Sequence, residues 1–341
     1  MKNISAIREN AIVIRQKIWY NIMQNNVRGA YALYKFRMKI FSAAVAALML
    51  CSCTEIDEEP PVITAETVVT ENPYPVTVGS FVFNEKPMLV GSLSPAITEI
   101  ICELGYSYAL IGRSSYCDYP ETVLDKLDLG SAANPDVDTI IDSAPQLLIS
   151  HSPIAKKDIT AIENVGTRVW IIPAPNSVEE LYNYYRDIAS VFGGKLVSEG
   201  HADKAMRPLL DALNSVDGSV ESFVYIMSPE LAAATDSTFA GSFFSSFGKN
   251  AAGDSEEIVF TAEELSELNP EWIIIPYTLS GDNMPNALSS LEAVQGGRVI
   301  VLDEEMLERI ERPTSRLEAV VYSIKDQIKS ADDGNPEDSE E

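Results

Sequence analysis

"DTIIDSAPQLLI" (Asp138–Ile149) and "EELSELNPEWIII" (Glu263–Ile275) share one construction. Each opens on an acid, meets a proline seven residues on, follows it with Gln146 or Glu271, and then becomes apolar. Acids favour the first turn of a helix, and proline cannot continue one, so the pattern reads as helix, stop, buried strand. The copies lie 125 residues apart, and downstream "GTRVWII" (166–172) is answered by "GRVIVL" (297–302). The chain therefore carries one α/β module twice.

Other short apolar runs fit the same plan. "MLVG" (88–91), "ALIG" (109–112), "LLIS" (147–150) and "RVWII" (168–172) alternate with helical stretches such as "PAITEIICELG" and "KKDITAIENVG". Alternation of this kind predicts βα units around parallel sheets. The fold class expected is α/β, with two Rossmann-like lobes at 86–193 and 219–330 joined by a single long rigid helix at 195–217. Gly193-Gly194 ends the helix before it. A ligand cleft is expected between the lobes.

The N-terminus is not part of this core. Residues 38–52 with Cys53, "MKIFSAAVAALMLCSC", place a lysine before an apolar run too short to span a bilayer, then a small residue before cysteine. This is a signal peptide, and "LCSC" resembles a bacterial lipobox with Cys53 as the lipidated residue. Residues 1–37 precede a complete signal and read as an upstream extension, with Met38 the expected start. Residues 53–85 read as a flexible tether and 331–341, with six acids and no base, as a disordered acidic tail. From residue 53 onward the chain has 17 Lys+Arg against 50 Asp+Glu, a net charge of −33. So acidic a body repels nucleic acid and anionic headgroups. A cell-envelope, lipid-anchored, periplasm-facing monomer is expected, with surface exposure left open.

Catalytic signatures are missing. Two histidines, His151 and His201, stand outside any HExxH, and there is no GxSxG, P-loop or GxGxxG. The chain is not expected to be an enzyme, and neither a metal site nor a cofactor is expected.

One loop, "SSYCDYP" (114–120), sets two aromatics, a thiol and a carboxylate side by side. Together with "SLSPAITE" (92–99), the two acid-to-proline modules, "FGKN" (247–250) and "ERPTSRL" (311–317), it resembles the substrate-binding proteins of ABC importers for cobalamin and iron complexes. The resemblance covers roughly Pro87 to Lys329 and is strongest to the cobalamin branch, whose loop has serine where this chain has Cys117. It implies capture of cobalamin or a related corrinoid between the lobes and delivery to the importer's transmembrane subunits. Ferric siderophore or haem is the alternative cargo, and an envelope enzyme on the same scaffold is a third reading.

The implied ligand-binding residues are Ser94, Tyr116, Cys117, Asp118, Ala132, His151, Glu308 and Arg312. An aromatic ring suits a flat macrocycle and a guanidinium its amide arms. Two tryptophans of the family cleft fall here on Ala132 and His151, so that Ala132 is expected to open a pocket and His151 to offer an axial nitrogen to a bound metal. Asp138 and Glu263 are implied to dock the two transmembrane subunits, although each also suits a helix N-terminus. Cys102 and Cys117 are too few for a disulfide scaffold; they leave a single bridge or free thiols open, and the serine of the relatives favours free thiols.

Overall fold

A computed structural model of the chain describes residues 72–216, 218–254 and 259–333. The upstream extension, the signal segment, Cys53, the start of the tether and most of the acidic tail lie outside these residues.

The N-terminal lobe is built on five parallel strands: β3 (Val90–Ser92), β4 (Leu110–Arg113), β5 (Leu127–Asp128), β6 (Leu147–Ser150) and β7 (Arg168–Ile171). Their order is β5-β4-β3-β6-β7, so the chain grows outward from β3 in one direction and then resumes on its other side at β6. Helices α1 (Pro95–Glu103), α2 (Val137–Ser143) and α3 (Lys156–Glu163) make the connections. Gly91 and Gly112 are register partners on adjacent strands. A Cβ at either would stand 2.5–2.7 Å from the side chain of Leu129, so the two glycines make room for this buried leucine on the sheet.

The C-terminal lobe repeats the plan with four parallel strands, β8 (Ser222–Tyr225), β9 (Lys249–Asn250), β10 (Trp272–Pro276) and β11 (Val299–Leu302), in the order β11-β10-β8-β9. Its helices are α6 (Phe239–Phe244), α7 (Ala262–Leu268), α8 (Asn286–Ser289), α9 (Glu292–Gln295), α10 (Glu304–Glu311) and α11 (Leu317–Asp333). The repeated module is equivalent in detail. Helices α2 and α7 both span seven residues and end on a left-handed residue, Ala144 (φ 43°) and Asn269 (φ 40°), directly before the proline. The residue after the proline then laces the two strands beside it. Gln146 Oε1 accepts the N–H groups of Met88 and Leu89 at 2.7 and 3.1 Å, and the Glu271 carboxylate accepts that of Glu221.

Between the lobes runs a helix pair, α4 (Val178–Gly193) and the linking helix α5 (Ser198–Asn214). Gly194 turns the chain between them at φ +85°, where a Cβ would meet Pro73 at 2.4 Å. Packing makes the link rigid. A single apolar cluster runs from Val90, Ile97 and Leu147 through Tyr185, Phe192, Met206 and Leu209 to Phe223, Trp272, Val320 and Ile324, so both lobes share one core. On the outer edge of the C-terminal sheet, the Gln327 amide of α11 donates to Val301 O at 3.1 Å and accepts its N–H at 2.9 Å.

Two boundaries differ from those expected. The segment read as a tether to residue 85 is folded from Val76, forming a hairpin of β1 (Val76–Val78) and β2 (Phe81–Phe83). Val76, Val78 and Phe83 are buried, and the Phe81 and Phe83 rings lie 6.0 and 5.6 Å from that of Trp170. "VTVGSFVF" has the two-residue alternation of a hairpin, which the acidic residues upstream obscured. Helix α11 also continues to Asp333, inside the segment read as disordered tail.

Because Phe83 is part of this core and not of a tether, Phe83→Ala should lower the unfolding free energy by about 3–5 kcal/mol. Urea denaturation followed by circular dichroism measures it, and a change near zero would return the segment to the tether.

Candidate ligand-binding cleft

The cleft begins where strand order reverses. In open parallel sheets, ligands gather at the carboxyl ends of the strands flanking the reversal, here β3 and β6. Ser94 follows β3 and His151 follows β6 directly, and their side chains meet through Ser94 Oγ and His151 Nδ1. Ser94 is itself buried and caps α1 by accepting the Ile97 N–H at 3.3 Å. It therefore acts as a support that orients His151, not as the cleft surface expected. Burial holds the His151 imidazole below its ordinary pKa of 6.5, so it is neutral at pH 7. Beside it is a cavity of about 30 Å³ lined from both lobes, by Ile97 and Ile100 on one side and Glu311 and Pro313 on the other.

The loop after β4 forms the rim. A turn in which Cys117 N–H donates to Ser114 O at 3.0 Å sends neighbouring side chains opposite ways. Tyr116 is 65% exposed, whereas Cys117 is 2% exposed with its Sγ 3.3 Å from Thr98 Oγ1. Cys117 is thus not a ligand contact: it packs beneath the loop, and burial pushes its thiol pKa up. It and Cys102 are free thiols. Ala132 is corrected too. The Gly130–Pro135 bridge folds it into the cluster of Leu93, Leu129 and Ile154, so that it fills core and opens no pocket.

Across the cleft, the Arg312 guanidinium at the end of α10 donates to both Asp118 oxygens, at 3.1 and 3.3 Å, and to Glu308 at 2.6 Å. Asp118, Glu308 and Arg312 thus meet as one ion cluster joining the two lobes' rims. Among the described residues, no group of three His, Cys, Asp or Glu is placed to hold a metal ion.

Several residues here were not anticipated. Arg316 lies 3.9 Å over the Tyr119 ring and donates to the buried Glu99 at 2.9 Å. One turn along α1, Glu103 accepts from the Tyr185 hydroxyl and, at 2.9 Å, from Ser315 Oγ, while the Ser315 N–H donates to Tyr185 Oη at 2.8 Å. The signal was available: two acids four residues apart interrupt the otherwise apolar "PAITEIICELG".

Asp138 and Glu263 occupy equivalent places, second in α2 and α7, and both are exposed. Neither is the cap. Asp136 accepts the Thr139 N–H at 3.0 Å, and Thr261 accepts the Glu264 N–H at 3.2 Å in a full capping box.

Residues 90–306 match the family model described as periplasmic binding protein. The chain belongs to that family. This binding protein is 25% identical to an uncharacterized ABC transporter substrate-binding lipoprotein, YvrC, of Bacillus subtilis, over 81% of its own length and 92% of the relative's. Its fold is similar to that of the periplasmic vitamin B12 binding protein BtuF of Vibrio cholerae (TM-score 0.57, 20% identity, 72% of this chain and 98% of that one). It is similar in the same way to the periplasmic heme binding protein HutB of Vibrio cholerae (TM-score 0.56, 18% identity, 69% and 99%). A further likeness is to an ABC-type Fe3+-hydroxamate transport system structure from Saccharomonospora viridis (TM-score 0.55, 18% identity, 74% and 99%). The two-lobed α/β fold is that of the family, and the binding protein is an extracytoplasmic substrate-binding component of ABC transport, not an enzyme. Among the described residues no helix is long and apolar enough to cross a membrane.

Burial raises the Glu103 carboxyl above its ordinary 4.5. A group raised in the folded state contributes stability that is present below its unfolded pKa and lost as pH rises through the folded one. The stability of the wild type relative to Glu103→Gln should therefore be greatest near pH 4 and fall towards neutrality in paired urea titrations. A difference that grows with pH would contradict the buried placement.

Proposed function

We propose that this binding protein captures cobalamin or a related corrinoid in the cleft and delivers it to the transmembrane subunits of an ABC importer. The observation that carries the reading is the rim. Tyr116 stands exposed on the "SSYCDYP" loop, beside the Asp118–Arg312–Glu308 cluster. An exposed aromatic face next to a guanidinium matches a flat macrocycle edged with amide arms. One observation favours haem, or another iron complex, as second cargo. His151 is neutral with Nδ1 engaged by Ser94, an arrangement that commonly orients the other ring nitrogen towards a metal. No cofactor beyond the cargo is invoked, and the protein acts as a monomer held to the membrane by lipid on Cys53.

Calorimetry on residues 54–341 should show tight binding of cyanocobalamin or cobinamide, weakened by about 1–3 kcal/mol in Tyr116→Ala. Binding of haem or a siderophore, with no response to either corrinoid at tens of micromolar, would transfer the assignment to iron complexes.

Docking falls to Asp138 and Glu263. Since Asp136 and Thr261 already cap their helices, the two exposed acids are available for a partner, one on each lobe. A duplicated acid on two similar lobes suits an importer with two equivalent subunits, whose arginines would receive them. Asp138→Lys combined with Glu263→Lys should leave cargo affinity and Tm nearly unchanged and abolish stimulation of the importer's ATPase in proteoliposomes. Full stimulation by the double variant would remove the docking role.

A further inference from the structure

A second cavity lies at the amino ends of the N-terminal lobe's strands, on the side away from the cleft. Its volume is about 220 Å³, and it is lined by residues 83–87, by Gln146 and Leu147 where β6 begins, and by Arg168 at the start of β7. Two of the lining residues, Lys86 and Arg168, are cations that make no ion pair among the described residues. Both rest on aromatic rings instead. Lys86 Nζ is 5.3 and 5.0 Å from the Tyr106 and Tyr108 ring centres, and the Arg168 guanidinium is 5.2 and 4.8 Å from those of Phe81 and Phe83. Cation–π contacts of this kind hold a charge in place without cancelling it. Gln146 adds a donor: its Oε1 is occupied by the Met88 and Leu89 N–H groups, so its NH2 is the end left for another partner. The C-terminal lobe has Glu271 and Arg298 at the equivalent places, an acid with a base, and Arg298 Nε donates to Glu271 O at 2.9 Å. In the N-terminal lobe the neutral Gln146 leaves Arg168 without that acid, and Glu85 is the one carboxylate lining the cavity.

Around this cavity the face is apolar. Val82, Met88, Leu89, Tyr108 and Leu196 are each 44–53% exposed. Contacts join them into one surface. Arg168 Nη1 donates to Val82 O at 3.0 Å, and Gln146 holds the N–H groups of Met88 and Leu89. Lys86 lies over the rings of Tyr106 and Tyr108. A Cβ at Gly193 would meet both the Tyr106 hydroxyl and the side chain of Val197, which follows Leu196 in the turn between α4 and α5. The described chain also enters the fold at this turn, where Pro73 O accepts the Lys195 N–H at 3.1 Å. Large apolar side chains exposed singly are ordinary; gathered round a cationic cavity, at the place where the segment from Cys53 arrives, they mark an interaction surface.

We propose that this face rests on a zwitterionic phospholipid surface, with one headgroup in the cavity. Lys86, Arg168 and the Gln146 amide would meet the headgroup's phosphodiester, and Glu85 its ammonium. Val82, Met88, Leu89 and Leu196 would enter the boundary with the acyl chains, and Tyr108, apolar with a polar tip, would sit at headgroup level. A net charge of −33 from residue 53 onward opposes a strongly anionic surface, so charge selects the zwitterionic one. The proposal rests on the lipid at Cys53 only for bringing this face to a membrane. The parallel strands run from here to the cleft, so a molecule seated this way holds its cleft away from the lipid and open to cargo.

Vesicle flotation of residues 54–341, which keep every described element and lack Cys53, tests the face apart from its anchor. Vesicles of phosphatidylethanolamine and phosphatidylcholine in equal parts should carry the wild type upward. Lys86→Gln with Arg168→Gln, and separately Leu89→Ser with Leu196→Ser, should each lower the partition coefficient about 10-fold. Lys86→Arg should retain binding, as should Tyr322→Ser, at an exposed position on α11. Arg168 also packs on Phe81 and Phe83, so if the cationic pair lowers Tm the Leu89 and Leu196 pair decides. Absence of wild-type flotation, or equal flotation of that pair, overturns the proposal. Stronger flotation on vesicles with phosphatidylglycerol in place of phosphatidylcholine overturns the zwitterionic match. Calorimetric binding of free phosphoethanolamine without flotation overturns the membrane surface in favour of a small-molecule site. Mass spectrometry of the mature N-terminus tests the Cys53 lipid separately, and an unlipidated Cys53 leaves the vesicle result standing.

Discussion

The part-buried junction of Tyr185, Glu103 and Ser315 sets the relation between the lobes. It joins α4, α1 and the "ERPTSRL" segment, three elements from different parts of the chain. A carboxylate taken out of water costs several kcal/mol unless its lone pairs are met, and here a phenol and a serine meet them. Removing any one partner leaves part of the hydrogen-bonding capacity of the other two unmet. Arg312 is three residues before Ser315 in the same segment, so the position of the rim guanidinium follows from this anchor. Arg316, one residue after it, repeats the attachment on Glu99 and covers Tyr119 of the rim loop.

The second organising constraint is the reversal of strand order. Each lobe starts its sheet in the middle and returns to the other side of the first strand, which leaves a notch at the carboxyl edge that no crossover covers. At the opposite, amino ends of the same strand pairs, the side chain after each module's proline accepts N–H groups from the start of the neighbouring strand. The module therefore ties the two central strands of each sheet together at their amino ends, in the same way in both lobes.

The α/β class, the two lobes and the linking helix were legible because periodicity and punctuation are local signals, repeated 125 residues apart. The N-terminal hairpin was not, since a short alternating stretch beside a run of acids and prolines resembles a tether in composition and differs from one only in what it packs on. Within the site, Tyr116 stands exposed on its loop, and Asp118 and Arg312, read separately as ligand contacts, meet each other across the rim. Ser94, Cys117 and Ala132 lie at the expected positions in the chain but turn inward, and which way a loop side chain turns depends on turn geometry and on distant neighbours such as Thr98 and Ile154. Glu99 and Glu103 were overlooked for the converse reason: their partners arrive from more than 80 residues away.

The Gln327 amide does on β11 what a further strand would do. It presents one donor and one acceptor to Val301 in the spacing of a neighbouring backbone, so that this step of the sheet's outer edge is already occupied. A bare edge can be extended by any extended segment of another chain. A single side chain closes that route at Val301 without adding a strand.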